Sequence, residues 1–155
     1  MRLDEAGLAR WGERVGDALT TPVFLALQGP LGAGKSALAR AVGRGAGVAQ
    51  PMPSPSFNLL FRYEAQRGRE VVHLDLYRLE SPEELWELGW EELGQNNEIV
   101  LVEWPERAES LLPEDFWLVD LAPTPDHPHL RDVSVTRVGH PPELPGFPMS
   151  LSEGR

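Results

Sequence analysis

The sequence predicts an α/β protein, a sheet of mixed parallel and antiparallel strands flanked by helices. Three observations predict it. Residues 23–27, Val-Phe-Leu-Ala-Leu, form a short apolar run that runs directly into Gly29-Pro-Leu-Gly-Ala-Gly-Lys-Ser36 and then into a helix-forming stretch from Ala37. A second apolar run at 99–102, Ile-Val-Leu-Val, is closed by the carboxylate of Glu103. Strand-forming segments at 57–63, 70–77, 116–121 and 131–138 alternate with polar turns, which adds hairpins to the two buried strands.

Length and composition bound the rest. A chain of 155 residues with 41% apolar and 25% charged side chains is expected to form one domain around one core. No apolar run approaches the roughly 18 residues that a membrane span requires, so no membrane partner is expected and the cytoplasm is the default location. The absence of cysteine excludes disulfides and thiolate metal sites. The net charge of −10 is unevenly placed: residues 1–74 carry +3, residues 75–120 carry −12 and residues 121–155 carry −1. Such a chain is a poor binder of nucleic acid by itself, because phosphate neutralisation needs a basic surface. The acidic third suits either a basic partner or simple solvation.

In chain order, Asp4 to Leu19 reads as an amphipathic helix, with Leu8, Trp11, Val15, Ala18 and Leu19 on one face and Asp4 as its cap. Residues 29–36 match G-x-x-x-x-G-K-S, the P-loop pattern, in its expected setting of strand, glycine loop and helix. Gly29, Gly32 and Gly34 permit positive φ and close approach to a phosphate. The loop amides then form an anion-binding nest at a helix N-terminus. The phosphate-binding set is Gly29, Leu31, Gly32, Ala33, Gly34, Lys35, Ser36 and Ala37, with Lys35 on the β- and γ-phosphates and Ser36 on Mg²⁺. Lys35 is the only lysine among 14 basic residues, at the one place where a compact ammonium is wanted. The helix is expected to die in the glycine-rich stretch 43–47.

Residues 50–57 hold three prolines and read as a stiff extended loop, with Ser54 and Ser56 as hydroxyl candidates for the nucleotide or its metal. The segments 57–63 and 70–77 form the expected hairpin. In the second, His73, Asp75 and Tyr77 alternate onto one face, and Asp75 is a candidate for Mg²⁺ or for positioning water. Ser81-Pro-Glu-Glu84 starts a helix whose apolar side is Leu85, Leu88, Trp90 and Leu93. Glu103 ends its strand where nucleotides bind in open α/β sheets, and is expected to hold Mg²⁺ or orient water. Strands at 116–121 and 131–138 follow, separated by a loop at 122–129. Residues 1–139 are expected to form the domain and residues 140–155 a poorly ordered proline-rich tail.

Several motifs coincide in order and spacing: GPLGAGKS, SPSF at 54–57, HLDLYRL at 73–79, SPEEL at 81–85 and VEWPE at 102–106. Together they resemble the TsaE (YjeE) family, small bacterial P-loop ATPases of tRNA threonylcarbamoyladenosine synthesis. The resemblance covers about residues 1–138. It implies a P-loop NTPase-like sheet, Mg²⁺-dependent hydrolysis of ATP that is weak in isolation, and action on the partner proteins TsaB and TsaD, with tRNA met only through that complex. By motif match it implies catalytic roles for Lys35, Asp75 and Glu103, metal ligation by Ser36 and Glu103, and nucleotide contacts from Ser56 and Trp104. Ser56 stands where the family usually has threonine, and Leu8 where it often has threonine. The residues leave open which of Asp75 and Glu103 positions the attacking water. The competing reading is a small-molecule or nucleotide kinase, with Arg62, Arg67 and Arg69 as lid arginines. A nucleotide switch without turnover is a third.

Overall fold

The computed structural model describes residues 1–53 and 59–144. Among these, seven strands form one sheet in the order β1-β7-β6-β2-β5-β4-β3. The strands are β1 (Arg2–Asp4), β2 (Val23–Gln28), β3 (Leu60–Glu64), β4 (Glu70–Asp75), β5 (Glu98–Glu103), β6 (Phe116–Thr124) and β7 (His127–Val138). The middle is parallel: β2 pairs with β5 and with β6, and β4 pairs with β5. Antiparallel β7 and β1 extend one side and antiparallel β3 the other. The mixed α/β sheet expected from the sequence is therefore the observed one.

Alternation along the strands divides the core into two layers. Leu25 and Leu27 of β2 face the layer that also holds Leu8, Trp11 and Val15 of α1 (Glu5–Ala18) and Leu38 and Val42 of α2 (Lys35–Ala46). Phe24 and Ala26 face the opposite layer, with Leu85 of α3 (Pro82–Glu87) and Trp90. Both layers bury β5 completely, which is why its sequence is an unbroken apolar run rather than an alternating one.

As expected, α2 ends inside the stretch 43–47: it continues to Ala46 and stops at Gly47, which has φ 96°. Gly45 also lets the two helices approach: a Cβ on it would fall on the backbone of Glu13, and one on Gly16 of α1 would fall on the backbone of Val42. Three expectations about the elements are corrected. First, the helix from Ser81 is short. It ends at Glu87, and Gly89 at φ 82° redirects the chain into a separate 3₁₀ turn at Trp90–Glu92. Second, the segment 122–129 is mostly strand, because β6 and β7 run on to Thr124 and from His127. Third, the domain does not end at 139. Leu144 is 2% exposed in the core, and Trp117 donates its indole N–H to the Pro142 carbonyl at 2.7 Å. The remainder of the expected tail, 145–155, lies outside the described residues.

Candidate functional site

The site forms where parallel strands end. Leu27 of β2 pairs with Glu103 of β5, and Glu103 pairs with Asp75 of β4, so three strand ends stand side by side. The glycine loop 29–34 leaves β2 there and turns into α2. At its base, Gly29 has φ 154° and lies so close to the Leu121 backbone that no Cβ fits. Gly34 at φ 108° caps α2 with backbone alone, offering no side chain to the first helical turn. The amides of that turn have no acceptor inside the helix.

Lys35 is buried and folds back over the loop, donating to Gly29 O at 2.6 Å and Pro30 O at 3.0 Å. Its ammonium also lies 4.1 Å from the centre of the Trp104 ring. Burial lowers its pKa, against the pull of Glu103 and Asp75. The Ser36 hydroxyl stands 2.9 Å from both carboxylate oxygens of Glu103. Glu103 is 2% exposed and meets His73 Nε2 at 2.7 Å through Oε2. His73 is itself fully buried on β4. Asp75, half-buried, has its carboxyl pushed up mainly by burial. The Tyr77 amide at 3.0 Å on Oδ1 works against that rise, and Glu103 adds to it.

Trp104 follows β5 in the left-handed region, φ 60° and ψ 52°. A bulky aromatic held there is strained, and such strain concentrates at functional sites. The conformation brings its ring to 4.9 Å from Tyr77, and Arg107 lies 5.6 Å from the Tyr77 ring. One column therefore runs Lys35, Trp104, Tyr77, Arg107.

The structure brings the loop residues Gly29, Leu31, Gly32, Ala33, Gly34, Lys35, Ser36 and Ala37 to the end of the sheet that also carries Asp75, Glu103 and Trp104. Ser54 and Ser56 lie outside the described residues. His73, for which the sequence reading set out no role, touches Glu103. Its place two residues before Asp75 on the same strand face was the signal. Arg131 of β7 reaches the loop from a distant part of the chain, donating to Ala33 O at 2.8 Å and Gly32 O at 3.2 Å, and nothing in the local sequence announces it. The proposed lid arginines go elsewhere. Arg69 is buried against Gly16 O, Leu19 O and Ala46 O, Arg62 bridges Glu70 and Glu98, and Arg67 bonds Asp17. Arg69 marks the C-terminal end of α2, a helix length of roughly 17 Å from the loop.

The chemistry on offer is a set of hard oxygen donors, Ser36 and Glu103, beside a backbone cradle and one ammonium. A family model described as threonylcarbamoyl adenosine biosynthesis protein TsaE matches residues 3–131. The chain belongs to the TsaE family. Among curated relatives, the tRNA threonylcarbamoyladenosine biosynthesis protein TsaE of Haemophilus influenzae is 32% identical over 88% of this chain and 89% of its own. That of Treponema pallidum is 37% identical over 68% of this chain and 77% of its own. The fold is similar to that of YdiB from Bacillus subtilis, with a TM-score of 0.70 and 21% identity over 86% of this chain and 80% of that one. TsaE membership places the chain in tRNA threonylcarbamoyladenosine biosynthesis and in a nucleotide-binding type. Among the described residues no helix is long and apolar enough to cross a membrane.

Proposed function

We propose that this protein binds and hydrolyses ATP with Mg²⁺ as an accessory to threonylcarbamoyl transfer onto tRNA adenosine, acting on the TsaB–TsaD complex. The observation that carries the reading is the meeting of Ser36 and Glu103 at 2.9 Å beside the loop that Lys35 closes. A hydroxyl and a carboxylate are hard oxygen donors that suit Mg²⁺, which takes few protein ligands and the rest from phosphate and water. When bound, the ion neutralises charge that develops on the transferring phosphoryl group.

The chain's own residues do the following. The glycine loop and the first turn of α2 present amides to the phosphates. Lys35 exchanges its two loop carbonyls for phosphate oxygens. Glu103, held by Ser36 and His73, keeps its carboxylate aimed at the metal position. Asp75, alongside it, is placed to orient water. Trp104 and Tyr77 shield the Lys35 ammonium from solvent. The kinase reading finds no support, since Arg62, Arg67 and Arg69 are engaged far from the loop. Contact with tRNA runs through the partners, because the net charge of −10 repels a phosphate backbone. Titration of Lys35→Ala with ATP tests the site: affinity is expected to be lost, and wild-type affinity would remove the assignment.

A further inference from the structure

The glycine loop is held from two sides by two cations. Lys35 takes Gly29 O and Pro30 O from within. Arg131 takes Gly32 O and Ala33 O from outside, through Nη2 and Nε. The same guanidinium also donates through Nη1 to Pro128 O and Leu130 O, both at 3.1 Å. It is thus fixed to its own strand and cannot swing away with the loop. The tip of the loop has few other contacts, since Leu31 is 72% exposed and a Cβ on Gly32 would meet nothing within 4 Å, while Ala33 is packed into the core.

The peptide plane turns this contact into a functional one. Carbonyl and amide of one peptide unit point in opposite directions. Drawing Gly32 O and Ala33 O toward Arg131 therefore turns the amides of Ala33 and Gly34 away from β7. Ala33 N–H closes the turn on Pro30 O at 3.0 Å. Gly34 N–H, in the same peptide unit as Ala33 O, points away from Arg131. The Arg131 guanidinium meets four carbonyls at once, those of Gly32, Ala33, Pro128 and Leu130, and the three N–H groups of an ammonium cannot serve all four.

We infer that Arg131 is a positioning residue for nucleotide binding, which sets the Gly34 amide of the loop crown for a phosphate by bridging the Gly32 and Ala33 carbonyls from outside. The inference rests on the phosphate-binding reading of the loop. It assigns Arg131 no contact with the nucleotide.

The experiment compares Arg131→Ala, Arg131→Lys and Lys35→Ala with the wild type, by calorimetric titration with ADP and with ATP, thermal denaturation, and steady-state turnover. Arg131→Ala is expected to weaken both nucleotides about tenfold, an effect of the size one lost charge-assisted contact produces. The loss falls in KM for ATP and not in kcat, and methylguanidinium restores part of it. Arg131→Lys keeps the charge and the stem, so its thermal midpoint stays near that of the wild type, yet it binds ADP nearly as weakly as Arg131→Ala. Wild-type affinity in either variant overturns the inference. So does a loss that tracks the fall in thermal midpoint and is not reversed by methylguanidinium, which makes Arg131 an anchor of β7 alone. Wild-type affinity in Lys35→Ala instead strikes the phosphate-binding reading itself.

Discussion

His73 Nε2 stands 2.7 Å from Glu103 Oε2, with both side chains buried on adjacent parallel strands. The carboxylate that ends β5 thus arrives at the site already oriented, gripped by His73 on one side and by the Ser36 hydroxyl on the other. Removing the imidazole leaves a buried carboxylate short of a donor. His73→Leu is therefore expected to cost about 1–3 kcal/mol of stability and to slow turnover together. His73→Gln, which can still donate, recovers part of both. Urea denaturation and phosphate release on the same preparations check this, and a His73→Leu protein with unaltered turnover would reduce His73 to core packing.

Glu103→Gln should keep ATP binding and slow hydrolysis by ~10²-fold or more, since the amide cannot replace the charge that holds a metal or orients water. Single-turnover phosphate release beside a nucleotide titration separates the two effects. Wild-type turnover would pass the role to Asp75.

Asp75 carries a stability–function conflict with a defined pH signature. Burial raises its carboxyl above the ordinary 3.8, so between the unfolded and folded pKa the folded chain holds the proton more tightly. Its contribution to stability is present below the unfolded value and is lost as pH rises through the folded one. Asp75→Asn should then melt higher than the wild type at neutral pH and lose that advantage on acidification, while hydrolysing ATP more slowly. Melting curves across the acidic range read this directly. A variant less stable at neutral pH than the wild type would contradict it.

Arg69 is buried and gathers the carbonyls Gly16 O, Leu19 O and Ala46 O at the C-terminal ends of α1 and α2, together with Gln66 O of the turn between β3 and β4. Positive charge is favoured there, and the carbonyls have no other partner within their helices. Arg69→Ala should cost about 2–4 kcal/mol by stranding Gly16 O and Leu19 O. Turnover per folded molecule should not change. Arg69 loss that abolished ATP chemistry in a stable protein would revive its reading as a lid arginine.

Truncation after residue 139 should destabilise the protein, contrary to the expectation from sequence. It removes Leu144 from the core and the Pro142 carbonyl from the Trp117 indole. Leu144→Ala alone should cost about 2–4 kcal/mol, as for other fully buried leucines. An unchanged melting temperature in both would return the segment to the status of a tail.

Local patterns were the legible part. The strand–loop–helix at 23–46 and the strand ending in Glu103 follow from apolar runs and fixed spacing, and these patterns alone set Lys35, Ser36 and Glu103 side by side. Capping chemistry at Asp4 and Ser81 set two helix starts to within a residue. What was hidden depends on long-range contact. Gly16 and Gly45 look like breakers, but they are thin places where α1 and α2 touch. Arg131 is 98 residues from Ala33 along the chain, so no window contains both. Leu144 sits among prolines with no periodicity, and only the shape of the core shows that it fills a place there.

The measurement closest to the central claim is phosphate release from ATP with Mg²⁺, first by this protein alone and then with TsaB, TsaD and tRNA added. The account predicts slow release alone, a clear rise with the partners, and loss of both in Lys35→Ala. No Mg²⁺-dependent release in the complete mixture would contradict it, as would transfer of the phosphoryl group to a small acceptor in place of water.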